Sequence, residues 1–170
     1  MRHNVTAKQE NASMCFVCGL DNSAGLAASF YELENNELVG IFTPGPQHQG
    51  YPGRLHGGIA ATILDETMGR VITTIVKDVW GVTVDLHIRY RKPVPLNEEI
   101  RVMGRIVRQS GRSYEAEGRL LLADGSTAVE GNGRYLILPV EEIVNVEMDD
   151  KVWKVVPAGD DPIELEVPDF

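Results

Sequence analysis

The stretch LHGGIAATILDETMGR, residues 55–70, decides how this 170-residue chain folds. From Gly57 to about Val76 the apolar residues Ala60, Ala61, Leu64, Met68, Val71, Ile72 and Ile75 recur at helical spacing and share one broad face. Ile59 and Ile63 widen that face. Only a narrow strip with Thr62, Glu66 and Thr73, and Arg70 at its edge, is polar. A helix this apolar must be wrapped by other elements.

The flanking sequence supplies the wrapping. Residues 25–34 (GLAASFYELE) and 37–43 (ELVGIFT) are expected as two strands, with Asn35-Asn36 as the turn, because Asn tolerates positive φ. Pro44 to Gly53 holds three prolines and three glycines and breaks regular structure. After the helix, Val82, Val84, Leu86, Ile88 and Tyr90 alternate with polar residues, the period of a strand with one buried face. Residues 99–108, 112–122 and 126–138 follow as strands, the last two joined at Asp124-Gly125. The order is two strands, one long helix and a four-strand meander. The expected class is α+β, an antiparallel sheet curled around a central helix, since each buries the other's apolar face. The division is an N-terminal segment over 1–24, a domain over 25–139 and an acidic tail over 140–170, the tail expected as an appended strand or arm.

Charge is unevenly placed. The net charge is −9, yet residues 140–170 carry ten acids against Lys151 and Lys154, a balance of −8. The first 139 residues hold fifteen acids and fourteen bases. A near-neutral domain with an acidic tail argues against general nucleic-acid binding, which needs a cationic surface, while leaving room for a small basic patch that grips a phosphate. No apolar run reaches the roughly 18–20 residues of a membrane span. The polar start, Met1 to Ser13, lacks a signal-peptide core. A cytoplasmic location, with no membrane partner, is the expectation.

Several residues are candidates for chemistry. Gly57 and Gly58 at the helix start allow close backbone approach and lie among unpaired N–H groups at a positive dipole end. Such a place suits a carbonyl oxygen gaining charge; tight helix packing is the alternative. His56 would contact a ligand, orient the loop or be a buried structural histidine. Asp65 lies at the border of the apolar face, where a carboxylate is costly unless hydrogen-bonded and tends to titrate high. Glu66 lies on the polar strip, four residues from Arg70, and is expected as a surface or paired acid. Thr83, on the polar face of the next strand, offers a hydroxyl to water or to a carboxylate. His48 and Gln49, in the Pro/Gly loop, would face a ligand or solvent. His87 is expected to be structural. Cys15-x-x-Cys18 offers two thiols where tetrahedral zinc needs four ligands, so packing or turn geometry is favoured over a metal or redox role.

Together Leu55-His56-Gly57-Gly58, the helical Asp65, Gly81-Val82-Thr83-Val84-Asp85-Leu86 and Tyr90-x-x-Pro93 resemble the hotdog-fold acyl-CoA thioesterases of the phenylacetate-degradation type, over about residues 25–139. Cys15-x-x-Cys18-Gly19-x-x-Asn22-x-x-Gly25-Leu26 resembles the start of a bacterial branch of these proteins. The resemblance implies a homodimer, often paired into a tetramer, with active sites at the interface and acyl-CoA as substrate. The Gly57 N–H would polarise the thioester carbonyl, with Gly58 beside it. Asp65 of the partner copy would activate water or attack directly, and Thr83 would orient the water. Arg89, Arg91, Lys92, Arg108 and Arg112 would meet the CoA phosphates. Some relatives carry an Asn where this chain has Gly50, a position for which His48 or Gln49 would substitute. No metal or organic cofactor is required. The rival roles are a hotdog dehydratase using His56 with Asp65 or Glu66, and a non-catalytic acyl-CoA binding protein. The acyl group stays open among aromatic, medium-chain and short branched types.

Overall fold

Helix α1 runs Gly57–Arg70 and tightens into a 3-10 turn over Val71–Thr74. The computed structural model describes residues 1–144 and 153–170. The helix begins where His56 leaves helical geometry (φ −64°, ψ 134°) and its ring accepts from the Gly58 amide. Ala60, Ile63, Leu64, Thr67 and Met68 are buried.

An antiparallel sheet of eight strands wraps this helix. In chain order they are β1 (Arg2–Lys8), β3 (Ser29–Leu33), β4 (Leu38–Phe42), β5 (Val79–Tyr90), β6 (Ile100–Ser110), β7 (Ser113–Leu121), β8 (Thr127–Pro139) and β10 (Glu164–Glu166). Their order across the sheet is β10-β1-β3-β4-β6-β7-β8-β5. The short strands β2 (Asn11–Ala12) and β9 (Trp153–Lys154) pair separately, and a short helix α2 spans Val140–Ile143. This is the hotdog arrangement. Among the described residues no helix is long and apolar enough to cross a membrane.

Three expectations are corrected. The four strands after the helix are not one meander: β6, β7 and β8 are, but β5 lies beyond β8 at the sheet edge, and β6 pairs with β4. The segment with Pro93 and Pro95 carries the chain from that edge back across the sheet. The strand expected from Gly25 starts at Ser29, because the Leu26 and Ala28 amides donate to Phe16 and Val17 of the C-x-x-C turn. The N-terminal strands were not foreseen, and part of the tail docks against them, Arg2–Asn4 on Glu164–Glu166 and Asn11–Ala12 on Trp153–Lys154. The tail also covers the outer sheet face, where Leu165 and Val167 pack with Tyr31, Leu33, Val39, Met103 and Leu121.

The sheet can approach α1 closely because Gly104, Gly118 and Gly131 stand opposite one another on β6, β7 and β8. A Cβ there would lie 3.0–3.1 Å from Leu64, Met68 and Thr67 side chains. The row is a groove for the helix.

Candidate active site

The loop before the helix is anchored from below. His48 is buried: its Nδ1 accepts from the Gly45 amide at 2.9 Å, and its Nε2 lies 3.1 Å from the carbonyls of Ala24 and Gly25. A ring whose nitrogens are both used by backbone holds the loop and does not face a ligand, so the substrate-facing role expected of His48 is corrected. Gln49 spends its side-chain oxygen on the Gly53 amide at 2.8 Å. His48, so held, does not stand in for the Asn expected in some relatives at the position of Gly50. A Cβ on Gly50 would come within 3.0 Å of the His56 Cα and 3.3 Å of its ring, so the glycine lets the loop lie against His56.

His56 itself is exposed rather than buried. Its Nδ1 accepts from the Gly58 amide at 2.9 Å, which commits Gly58 to the cap and removes its N–H from substrate. Ile59 and Ala60 donate to the His56 carbonyl. Among the described residues the Gly57 N–H has no acceptor, and it lies on the surface at the positive end of α1. The Tyr90 hydroxyl donates to the Gly57 carbonyl at 2.8 Å and steadies this peptide.

Asp65 lies between the second and third turns of α1, half-buried, and two hydroxyls converge on its Oδ1. Thr83 donates at 2.8 Å and Tyr135 at 3.1 Å. Simple alternation put Thr83 on the face opposite the helix-directed apolar residues. A bulge at Val84 resolves this: Thr83 pairs with Tyr135 while Asp85 pairs with the adjacent Arg134. The extra residue shifts the phase, so that Gly81 and Thr83 face the helix before the bulge and Ile88 does so after it. Val84 is left exposed, as is Tyr90, contrary to the buried face expected of them.

Tyr135 was not foreseen. It is fully buried and stacks on Tyr114, ring centroids 5.1 Å apart, while the Tyr114 hydroxyl donates to the Gly69 carbonyl at 2.7 Å. Burial, then the Asp65 charge, push the Tyr135 phenol well up, so it stays a proton donor to the carboxylate. The signal existed in Glu130 to Tyr135, where Gly131, Gly133 and Tyr135 alternate with Glu130, Asn132 and Arg134 and so point inward.

Beside Asp65 opens a cavity of about 400 Å³. Gly69, Gly81, Val82 and Thr83 line it together with Trp80 and, from outside the expected domain, Gln9, Cys15 and Trp153. Arg70 forms part of the wall. It is buried rather than at the edge of a polar strip, its guanidinium 4.6 Å from the Phe30 ring and 5.0 Å from the Trp153 ring. It pairs with Glu66 at 2.7 Å, so the expected partnership holds, although Glu66 is half-buried. Cys15, Cys18 and Glu66 bring three potential donor atoms within 4.8 Å of one another.

The proposed phosphate contacts are surface residues. Arg91 pairs with Glu130 at 2.9 Å, and Arg108 pairs with Glu115. Arg89, Lys92 and Arg112 are exposed, Arg89 standing opposite Glu130. His87 is exposed and opposite Asn132.

Residues 52–129 match the model of the Thioesterase superfamily. The mouse protein named acyl-coenzyme A thioesterase THEM4 is 36% identical over 85 residues, which is 50% of this chain and 36% of the relative. The chain spans between about a third (36%) and a half (49%) of the length of the curated relatives it matches first. A Bacillus halodurans protein solved with CoA is 30% identical, with a TM-score of 0.54 over 59% of this chain and 66% of that one. Zebrafish thioesterase superfamily member 2 is 25% identical, with a TM-score of 0.55 over 59% and 74%.

Proposed function

We propose that this chain is an acyl-CoA thioesterase of the phenylacetate-degradation type, acting as a homodimer or a pair of dimers with Asp65 as general base or nucleophile. The observation that carries it is a single carboxylate, held by two hydroxyl donors, at the wall of a cavity large enough for a small acyl group. Thioester hydrolysis needs an activated water and a donor for the developing oxyanion. Asp65 is suited to the first task, with Thr83 able to share a water with it. The Gly57 amide is suited to the second.

The two cannot serve one thioester within one chain. Eight residues along an α-helix separate them by about 12 Å, well beyond the span of a carbonyl and its attacking water. A second copy bringing its helix start to this Asp65 removes the difficulty. The outer edge of β5, which carries no further strand among the described residues, and the exposed Val84 and Tyr90 on that strand favour that assembly. A dehydratase pairing of His56 with Asp65 is disfavoured because the His56 Nδ1 is already spent on the Gly58 amide. CoA bound to the Bacillus relative supports CoA as the carrier group.

The test is a hydrolysis screen of purified protein against aromatic, straight-chain and branched acyl-CoAs, detecting released thiol. Turnover favouring one acyl class is expected. Binding without turnover across the whole panel would replace this function with that of a CoA-ester binding protein.

A further inference from the structure

We infer that Cys15 and Cys18 form a redox-active dithiol that opens onto the cavity beside Asp65 and closes to a disulfide by exchange with small disulfides. The two residues share one tight turn, closed by the Gly19 amide donating to the Cys15 carbonyl at 2.9 Å. A Cβ on Gly19 would lie 2.2 Å from that oxygen, so the turn requires glycine there. Both thiols are free, and their sulfurs lie within 4.8 Å of each other. Residues three apart in a tight turn have Cα atoms under about 7 Å from each other, within the reach of a disulfide.

The surroundings distinguish the two sulfurs. Cys18 is fully buried, and its sulfur accepts from the Ala12 amide at 3.3 Å and from the Arg70 guanidinium at 3.0 Å. Cys15 is half-buried, accepts from the Val17 amide at 3.3 Å and lines the cavity. The two sulfurs thus differ in access: Cys15 is the accessible nucleophile and Cys18 the resolving thiol behind it, with the Arg70 guanidinium against the Cys18 sulfur. In keeping with this, the Cys18 thiol beside it lowers Cys15 to about 6, against burial and Glu66, which oppose the charge. Hydrogen bonding to Cys15 and burial push Cys18 up. A metal fits poorly. Among the described residues three donors converge, and the Arg70 cation already occupies the side where two of them face.

The chemistry balances as two exchanges. The Cys15 thiolate attacks one sulfur of a small disulfide, whose S–S bond breaks and releases one thiolate. Cys18 then loses its proton to solvent and attacks the Cys15 sulfur, expelling the second thiolate. Two protein thiols are oxidised and one small disulfide is reduced to two thiols.

The experiment treats the reduced, full-length protein with glutathione disulfide at neutral pH, quenches by alkylation and reads intact mass and labelled peptides. Both thiols should be lost together, with a mass lower by two hydrogens, and dithiothreitol should restore them. Cys18→Ala should stop with one glutathionyl group on Cys15, and Cys15→Ser should leave Cys18 unmodified. Should Cys18→Ala fail to fold, the wild-type masses decide alone. A wild-type protein that stays reduced, stops at a stable mixed disulfide, is modified first at Cys18, or needs one zinc per chain stripped before its thiols react would overturn the inference.

Discussion

In the proposed reaction Gly57 supplies an amide donor and Asp65 a carboxylate, and two substitutions test these roles selectively. Gly57→Pro deletes one hydrogen-bond donor with little else, because proline is well tolerated at the first helical position. The preceding His56, at φ −64° and ψ 134°, already has the backbone that proline demands of its neighbour. A fall in kcat of about 10²–10³ is expected, the cost of an oxyanion donor, with the protein folded by circular dichroism; an unchanged kcat would remove the Gly57 amide from the mechanism. Tyr135→Phe removes a donor to Asp65 but keeps the ring stack. Losing one hydrogen bond to a charged group, about 1.5–3 kcal/mol, should lower kcat roughly ten- to a hundredfold with KM little altered. A rise in KM alone would mean the phenol only shapes the pocket. Asp65 was legible from one chain because a carboxylate at the border of an apolar helix face breaks the local pattern, whereas the reach of Thr83 to it depends on the Val84 bulge, which alternation hides. Arg70 was not: its place on a helix wheel says nothing of Phe30 and Trp153, which close over it from strands far away in sequence.

At the scale of elements, α1 and the six central strands could be read from periodicity, since their apolar residues repeat at 3.6 or 2. What periodicity hides is pairing. The β4–β6 and β5–β8 contacts depend on where the Pro93–Pro95 segment travels, and the Val84 bulge is a one-residue phase slip inside a regular alternation. The glycine row is another hidden feature, because its meaning appears only when three strands are in register. Gly118→Val tests it. A Cβ there meets Leu64 at 3.0 Å and the Met103 carbonyl oxygen at 3.1 Å, and backbone cannot move aside cheaply. Destabilisation of about 1–3 kcal/mol is expected in urea unfolding. A variant as stable as the parent would show that the helix does not rest on this row.

The whole molecule is tied together at its ends. Asp161 in the tail accepts from Lys8 at 2.6 Å and Tyr31 at 2.7 Å. The Ala158 amide, then Lys8, hold its carboxyl down to about 2 from an ordinary 3.8. A depressed carboxylate stabilises the fold above its unfolded value and stops doing so as pH falls through the folded one. Asp161→Asn should therefore unfold more easily at neutral pH and lose less stability between about pH 4 and pH 2. Identical acid limbs would place the tail's docking energy elsewhere. The tail's role was not legible in its acidic composition because it rests on N-terminal partners such as Lys8, 153 residues from Asp161. Assembly makes a further demand, that Gly57→Pro and Asp65→Asn chains refolded together regain activity neither has alone, since a mixed dimer holds one intact site. The most direct measurement remains thiol release from the best acyl-CoA by wild type and Asp65→Asn, with ester binding measured beside it. A fall of about 10²–10⁴ in kcat with binding retained is the expected result, and hydrolysis by Asp65→Asn at the wild-type rate would contradict the assignment of Asp65 as the group that activates the attack.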